Sequence, residues 1–230
     1  MCYNVKTKAS RKELEERFKA THGDDAEMPT DFETVSGFAH PRLPIIASEQ
    51  PDKIEYATWG LIPNWVKDER TVAEMRIATL NARSETVFEK PSFRSIIKKR
   101  CLIPVNGFYE WQTIATTKKK VTKKHFYIHL KSENLFALGG LYDEWVNTAT
   151  GEISRGFSIV TVPANPLMAE IHNTKKRMPL ILPRNTETNW LQPNLTKVDI
   201  KNLMLPYTEQ DMDAEEVQKN NRPEQTGRLF

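Results

Sequence analysis

The chain has 230 residues, of which 39% are hydrophobic and 9% aromatic; these fractions suffice for a buried core and exclude a chain disordered throughout. Its length fits one large domain or two small ones. The longest apolar runs, such as LFALGGLY, fall far short of the roughly 20 residues of a membrane span, and the opening MCYNVKTKASRKELEERF has no apolar signal region. We therefore expect a cytoplasmic protein without a membrane partner.

The net charge of +3 is unevenly distributed. Between Arg94 and Lys131 there are ten lysines and arginines and one acidic residue, a local balance of +9 that leaves −6 for the remainder. This asymmetry favours a polyanionic partner, although the stretch TTKKKVTKK also fits a solvated hairpin tip. The two cysteines, Cys2 and Cys101, allow at most one disulfide, and because no CxxC spacing occurs we expect neither a metal site nor a cofactor.

The first half of the chain predicts one short helix and two strands. SRKELEERF combines Ser10 and Glu13 in a capping box with Leu14 and Phe18 on one face, which is typical of a short amphipathic helix. HGDDAEMPTDFETVSG has the composition of a polar surface loop, an excursion of the chain away from the core. FAHPRLPII and IEYATWGLIP are predicted strands with prolines at their margins.

Strands predominate in the second half. PSFRSIIKKR begins with proline at a helix N1 position and ends in cations, which predicts a helix. RCLIPVNGFYEWQ contains two apolar runs joined by Asn106-Gly107, the strongest short signal for a β-hairpin. HFYIHLK, LFALGGLYDEW and FSIVTVPA are further predicted strands.

The last part of the chain predicts short elements. NPLMAEIH should form a helix that ends at His172, RMPLILP a strand and NTETNWL another helix, whereas residues from about 210 to 230 should be loosely held. Many strands, few short helices and no regular βαβ alternation indicate an α+β fold. We expect a single domain over 1–230, with a mixed, largely antiparallel sheet that forms a barrel-like core.

Two titratable residues are candidates for proton transfer. Glu110 lies in the aromatic run GFYEW, and two interpretations are open. Its carboxylate is either buried, with the raised pKa that a general acid or base requires, or exposed to water on the polar face of a strand. His172 precedes the cationic turn NTKKRMP, so it either satisfies carbonyls at a helix end or transfers a proton near a bound phosphate. The other four of the five histidines are interpreted as structural.

Two pairs of residues are candidates for nucleic-acid contacts. Asn81 and Arg83 of NARSE share one face of a predicted strand, where they either form a polar surface or fix a phosphodiester. Trp59 and Trp65 of WGLIPNW belong in a core by default. An exposed tryptophan beside basic residues would instead stack on an unpaired base.

Cys2 follows the initiator Met1 directly, and two interpretations are open. In one, Cys2 is an ordinary small residue at the start of the first strand. In the other, Met1 is removed, by self-processing or by an aminopeptidase, and Cys2 then carries a thiol and a free α-amine on adjacent carbons. Cys101, within a strongly apolar strand, is interpreted as an inert core thiol.

Taken in order, MC, WGLIPNW, NARSET, RCLIPVNGFYEW, GGLYDEW and the H…RMPLIL segment resemble the SRAP domain family. These are the SOS-response-associated, abasic-site-processing proteins of bacteria and eukaryotes. The resemblance runs from Cys2 to about Leu182. It implies a single α+β domain with a barrel-like core, a positively charged groove for single-stranded DNA, and covalent capture of abasic sites by an N-terminal cysteine.

The resemblance also implies roles for individual residues. Cys2 corresponds to the nucleophile, with Asn81, Glu110 and His172 completing the catalytic set. Two arginines match the family's motifs and four other residues join them as expected DNA contacts; the full set is Arg83, Arg177, Trp59, Trp65, Lys175 and Lys176. We expect a monomer that acts on single-stranded DNA containing abasic sites.

The chain departs from the family pattern in two places. Tyr3 and Asn4 follow Cys2, where a basic residue is common, so one phosphate contact is missing or supplied elsewhere. Four residues rather than one separate His172 from Arg177, and two of them are lysines, which would lengthen a loop at the groove.

The resemblance and elementary chemistry together predict a mechanism. The α-amine of Cys2 attacks the ring-opened aldehyde of an abasic site, and the thiol then closes a thiazolidine ring. Glu110 would deprotonate the α-ammonium and His172 would protonate the sugar ring oxygen, while a persisting Schiff base would permit β-elimination. Two alternatives remain: a hydrolase with Cys2 as an N-terminal nucleophile, which includes a self-processing peptidase, and a non-covalent single-strand binding module.

Overall fold

The computed structural model of the chain describes residues 1–23, 31–117 and 120–217, without the side chains of residues 69 and 115–121. The helices in these ranges are all short, and they are α1 (Arg11–Phe18), α2 (Glu69–Ala78), α3 (Pro91–Arg94), α4 (Pro166–Ile171), α5 (Glu187–Leu191) and α6 (Lys197–Leu203). The strands form two sheets, and they are β1 (Asn4–Lys8), β2 (Thr21–His22), β3 (Asp31–Ser36), β4 (Arg42–Ala47), β5 (Lys53–Trp59), β6 (Asn81–Arg83), β7 (Arg100–Val105), β8 (Gly107–Thr117), β9 (Lys120–Leu130), β10 (Phe136–Val146), β11 (Ile153–Pro163), β12 (Arg177–Pro179), β13 (Ile181–Leu182) and β14 (Met212–Glu216).

Five strands close into a barrel. Strands β5, β4, β7, β10 and β11 pair in that order, and every one of these four pairings is antiparallel. Strand β11 then pairs with β5 in parallel, with Gly156 opposite Thr58 and Phe157 opposite Trp59, which completes the ring. The predicted α+β fold with a barrel-like core is therefore confirmed.

A second sheet lies against the barrel and has the strand order β14-β9-β8-β1-β3. Its longest pairing joins β8 and β9, with Thr117 opposite Lys120. Residues 118 and 119 of the stretch TTKKKVTKK lie outside the described ranges. Buried residues of both sheets, such as Val5, Phe108 and Leu138, belong to one continuous hydrophobic cluster. Since one core joins the sheets, the described residues form a single domain.

The predicted hairpin at Asn106-Gly107 is wrong, because β7 and β8 do not pair with each other. Strand β7 pairs with β4 and β10 in the barrel, whereas β8 pairs with β1 and β9. The chain passes from the barrel to the second sheet at Asn106. The side chain of Asn106 accepts a hydrogen bond from Lys8 N and donates one to Asn134 O. A Cβ on Gly107 would lie 2.4 Å from the Tyr127 ring, so the glycine permits close packing rather than a tight turn.

Other differences from the predictions concern surface segments. Asp31–Ser36, expected within a polar excursion, forms β3 against β1. The loosely held segment expected from about residue 210 is wrong for Met212–Glu216, which forms β14 against β9; residues 218–230 lie outside the described ranges. The predicted helix over PSFRSIIKKR is confirmed only for Pro91–Arg94. Within the described part of the chain, no helix is long and apolar enough to span a membrane.

Candidate functional site

The N-terminal segment lies between the two sheets, at a position bounded by Glu110 of β8, His172 at the end of α4 and Asn81 of β6, which we call the cleft. Strand β1 pairs with β8 so that Asn4 is opposite Tyr109, and residues before Asn4 therefore run alongside Glu110. Asn81, held by the pairing of β6 with β11, donates from its side-chain amide to the Cys2 carbonyl at 2.9 Å. Cys2 is fully buried. The strand pairing and the Asn81 hydrogen bond together fix where the terminus lies.

The α-ammonium of Met1 contacts two of the predicted catalytic side chains. It lies 3.0 Å from Nε2 of His172 and 3.5 Å from Oε1 of Glu110. Both side chains are buried. A terminal amine held between an imidazole and a carboxylate has a proton acceptor on each of two sides, as amine nucleophiles require.

His172 is oriented by the residue that follows its loop. The ring comes directly after α4, and its Nδ1 lies 2.8 Å from the backbone oxygen of Arg177. Because a carbonyl only accepts, Nδ1 carries the proton and Nε2 of the neutral ring is unprotonated. The α-ammonium nitrogen lies close to both ring nitrogens, 3.0 Å from Nε2 and 3.3 Å from Nδ1. Burial lowers the pKa of His172, and the neighbouring α-ammonium and Lys175 act in the same direction. The ring is therefore a neutral acceptor at neutral pH.

Burial also changes the acidity of the carboxylate and the amine. It raises the pKa of Glu110 to about 7, against the opposing effect of the α-ammonium and Lys175. It lowers the pKa of the Met1 α-amine, and this lowering outweighs the opposing charge of Glu110. Within the described residues, Oδ1 of Asn81 is a buried acceptor without a hydrogen-bond donor, and Oε1 of Glu110 faces only the α-ammonium at 3.5 Å. The site thus has an amine with a lowered pKa and one buried acceptor, Oδ1 of Asn81, without a donor.

The Cys2 thiol is protonated in this arrangement. Burial raises its pKa far above the ordinary range, and the adjacent Glu110 carboxylate adds to the effect. Its Sγ lies 3.9 Å from the backbone oxygen of Asn4. A thiolate that reacts ahead of the amine is disfavoured in this environment.

Arg177 does not have the free guanidinium expected of a phosphate clamp. Its two terminal nitrogens donate to the Glu85 carboxylate at 2.5 and 2.9 Å, and the group also contacts the side chain and backbone of Thr161. The residue is only 8% exposed. In this structure Arg177 positions His172 through its carbonyl, and its direct DNA contact stays a prediction.

The remaining basic candidates are accessible. Arg83, Lys175 and Lys176 are exposed, and Lys176 has a positive φ of 47°. The loop that carries the two lysines is fixed to β8, because Asn173 accepts from Thr113 N and donates to Thr113 O. The longer spacing between His172 and Arg177 thus gives an anchored loop with two exposed cations, of which Lys175 acts electrostatically on the α-ammonium, Glu110 and His172.

The two tryptophans have different environments. Trp59 is fully buried, stacks on Phe157 at 6.1 Å between ring centroids, and donates from Nε1 to Leu80 O. It has no exposed face for a base in this structure and takes the core position expected by default. Trp65 is 49% exposed, on the segment between β5 and α2. No contact within the described residues joins Trp65 to the cleft.

Sequence reasoning missed several residues of the site. Tyr3 packs on Phe38 with ring centroids 4.8 Å apart, and Phe38 is 54% exposed. Glu85 pairs with Arg177, 92 residues further along the chain, and this pairing has no local sequence signal. Among the described residues, no group of three or more His, Cys, Asp and Glu side chains is arranged to hold a metal ion.

Glu110→Gln should stabilise the fold above neutral pH. Folding raises the pKa of Glu110 from 4.5 to about 7, so ionisation opposes folding and the wild-type free energy of unfolding falls as the pH rises through this interval. The total cost is up to about 3 kcal/mol. Urea unfolding near pH 4 and near pH 8 should show a gain for the variant only near pH 8. An equal difference at both pH values would contradict a desolvated carboxylate.

Comparison with known proteins gives consistent matches. The profile of the family described as SOS response associated peptidase (SRAP) matches residues 1–221. Abasic site processing protein YoqW of Bacillus subtilis (strain 168) is 42% identical over 190 residues, which cover 79% of this chain and 80% of that protein. Abasic site processing protein HMCES of Xenopus tropicalis is 34% identical over 143 residues, or 54% of this chain and 40% of that protein. A crystal structure from Bacteroides thetaiotaomicron aligns with a TM-score of 0.88 and 38% identity, covering 95% of this chain and 93% of its own.

Proposed function

This chain belongs to the SOS response associated peptidase (SRAP) family, and we propose that it captures abasic sites in single-stranded DNA through a covalent bond from Cys2. One observation carries the proposal: the chain terminus lies between Glu110 and His172, next to a cysteine anchored by Asn81. Removal of Met1 would transfer the free α-amine to Cys2. Amine and thiol would then stand on adjacent carbons within the same cleft.

The first step is attack by the amine. An abasic site is in equilibrium with a ring-opened aldehyde, and a neutral α-amine adds to that carbon to give a carbinolamine. Glu110, with a pKa of about 7, is suited to accept a proton from the α-ammonium and to return it when water leaves. The product is a Schiff base and one molecule of water.

The second step closes the ring. The Cys2 thiol adds to the imine carbon, its proton passes to the nitrogen, and a five-membered thiazolidine results. The step is intramolecular and benefits from the high effective molarity of such reactions. His172, whose Nδ1 proton is engaged by Arg177 O, would accept a proton at Nε2 from the α-ammonium and pass it to the sugar ring oxygen as the hemiacetal opens. If ring closure is delayed, loss of the 3′ phosphate by β-elimination competes and gives a lyase activity.

Binding of the strand rests on the exposed cations around the cleft. Arg83, Lys175 and Lys176 are available for phosphates, and Trp65 is accessible for stacking on a base. Since phosphate contacts release counterions, affinity for DNA should fall steeply with salt concentration. An unpaired strand suits the cleft because a ring-opened sugar must enter beside the buried terminus.

The hydrolase alternative requires a Cys2 thiolate as the first nucleophile. Burial and Glu110 both raise the pKa of this thiol. The groups in contact with the terminus act on its amine instead. We therefore favour amine attack followed by thiol addition, with the peptidase description applying at most to removal of Met1.

Denaturing electrophoresis tests the proposed capture. The protein is mixed with a labelled single-stranded oligonucleotide that contains one abasic site, heated and resolved. A slow band that survives heating is expected. The matched control is the same oligonucleotide reduced with borohydride beforehand, which lacks the aldehyde and should give no such band. Equal bands with both oligonucleotides, or none with either, would contradict the proposal.

A further inference from the structure

The amine held in the cleft of this structure belongs to Met1, not to Cys2. Its nitrogen is 3.0 Å from Nε2 of His172 and 3.5 Å from Oε1 of Glu110, and all three groups are largely withdrawn from solvent. The Met1 side chain is 18% exposed, so the terminus remains partly accessible to solvent. The proton-transfer groups described above are therefore already in contact with an amine before any residue is removed.

We propose that the chain that retains Met1 is itself active on abasic DNA: the Met1 α-amine forms a Schiff base with the aldehyde, and the strand is cleaved by β-elimination without a lasting crosslink. This inference rests on the proposed function only for the identity of the aldehyde. The same cleft thus performs two reactions, and the presence of Met1 selects between them.

The environment favours reaction of this amine over the lysines of the chain. Burial lowers the pKa of the Met1 α-amine below its ordinary value of 8.0, so more of it is neutral near pH 7 than of an ordinary terminus. Exposed lysine amines are almost wholly protonated at the same pH. Glu110 and His172 are placed to accept the remaining proton.

The reaction balances without a further reactant. The amine adds to the aldehyde carbon and water leaves, giving the imine. Loss of a proton from the adjacent sugar carbon, to Glu110 or His172, expels the 3′ phosphate and forms a carbon–carbon double bond. Water then hydrolyses the imine, which regenerates the Met1 amine and releases an unsaturated aldehyde on the cleaved strand.

Ring geometry explains why no stable adduct forms with Met1 present. From the Cys2 amine, the thiol closes a ring of five atoms. From the Met1 amine, the ring would include the Met1 Cα and carbonyl carbon together with the Cys2 amide nitrogen, which makes eight atoms. The Cys2 carbonyl is also fixed by Asn81 and the thiol is buried beside Asn4 O. The imine therefore lacks an accessible trap and proceeds to elimination.

A matched pair of proteins tests this inference. Cell-free synthesis with methionine aminopeptidase inhibited gives the chain with a free Met1 amine, and additional inhibition of deformylase gives the same chain with N-formyl-Met1. Intact mass verifies each. The two differ by one formyl group that removes the nucleophile, and both are compared on the labelled abasic oligonucleotide, with and without borohydride.

The free Met1 chain should cleave the strand, and borohydride should trap an adduct that tandem mass spectrometry locates on the Met1 nitrogen. The formylated chain should fall to the background of the oligonucleotide alone. Equal cleavage by both chains, or a trapped adduct on Lys175 or another lysine, would overturn the inference. A heat-stable adduct on the free Met1 chain without borohydride would also overturn it.

Two parallel measurements separate this inference from the proposed function. Reductive amination with glycolaldehyde and cyanoborohydride near pH 7 should modify Met1 faster than any lysine, and it requires no DNA; equal rates would contradict the inference alone. The chain that begins at Cys2 is assayed for the heat-stable band. A missing band there, with trapping on Met1 intact, would contradict the proposed function and leave the inference standing.

Discussion

Cys2→Ala is expected to abolish the heat-stable adduct with abasic single-stranded DNA, a loss of more than about 100-fold, because the five-membered ring cannot close without sulfur. Alanine still permits a free terminal amine, so a borohydride-trapped Schiff base should persist. Denaturing electrophoresis with and without borohydride measures both species. This separates the role of the thiol from that of the amine.

Cys101→Ala is the matched control for that experiment. Cys101 is the other cysteine of the chain and is fully buried in β7 of the barrel. Its replacement should leave the adduct unchanged. An undiminished heat-stable adduct in Cys2→Ala would show that another residue forms the bond.

Glu110→Gln should slow crosslink formation by about 100-fold or more, the usual contribution of a positioned acid–base group. Because the pKa of Glu110 is raised to about 7, its basic form accumulates as the pH rises through neutrality, and the wild-type rate should rise with it. The variant should lose this part of the rise and keep the part that comes from deprotonation of the terminal amine. Rates of adduct formation from about pH 5.5 to about pH 8.5 provide the comparison.

Glu33→Gln on the neighbouring strand β3 controls for the loss of one negative charge. Glu33 pairs with Lys6 and Lys8 at the surface and has no contact with the terminus among the described residues. It should retain the wild-type rate and pH profile. Loss of affinity for intact single strands in Glu110→Gln, equal to its loss of rate, would assign Glu110 a structural role instead.

Local signals in the sequence predicted the elements that they directly encode. The capping box of Ser10 and Glu13 is present at the start of α1, with Leu14 buried. The helix that ends at His172 is present as α4, capped by Asn165. In each case the determining contacts lie within a few residues, so the pattern alone contains the information.

Long-range contacts decided the features that the sequence left open or predicted wrongly. Asn106-Gly107 resembles a hairpin turn, but pairing of β7 with β10 and of β8 with β1 separates the two strands. Trp59 is buried because barrel closure places β5 beside Phe157, and Arg177 is occupied because Glu85 lies across from it. Burial and ion pairing of this kind depend on the completed barrel rather than on neighbouring residues.

Tandem mass spectrometry of the digested DNA adduct tests the central claim most directly. The account predicts an N-terminal peptide that begins at Cys2, lacks Met1 and carries the deoxyribose remnant on its first residue. Its sulfur should resist alkylation by iodoacetamide, because nitrogen and sulfur are both bonded to the sugar carbon. A heat-stable adduct on a lysine, or on a peptide that still begins with Met1, would contradict the account.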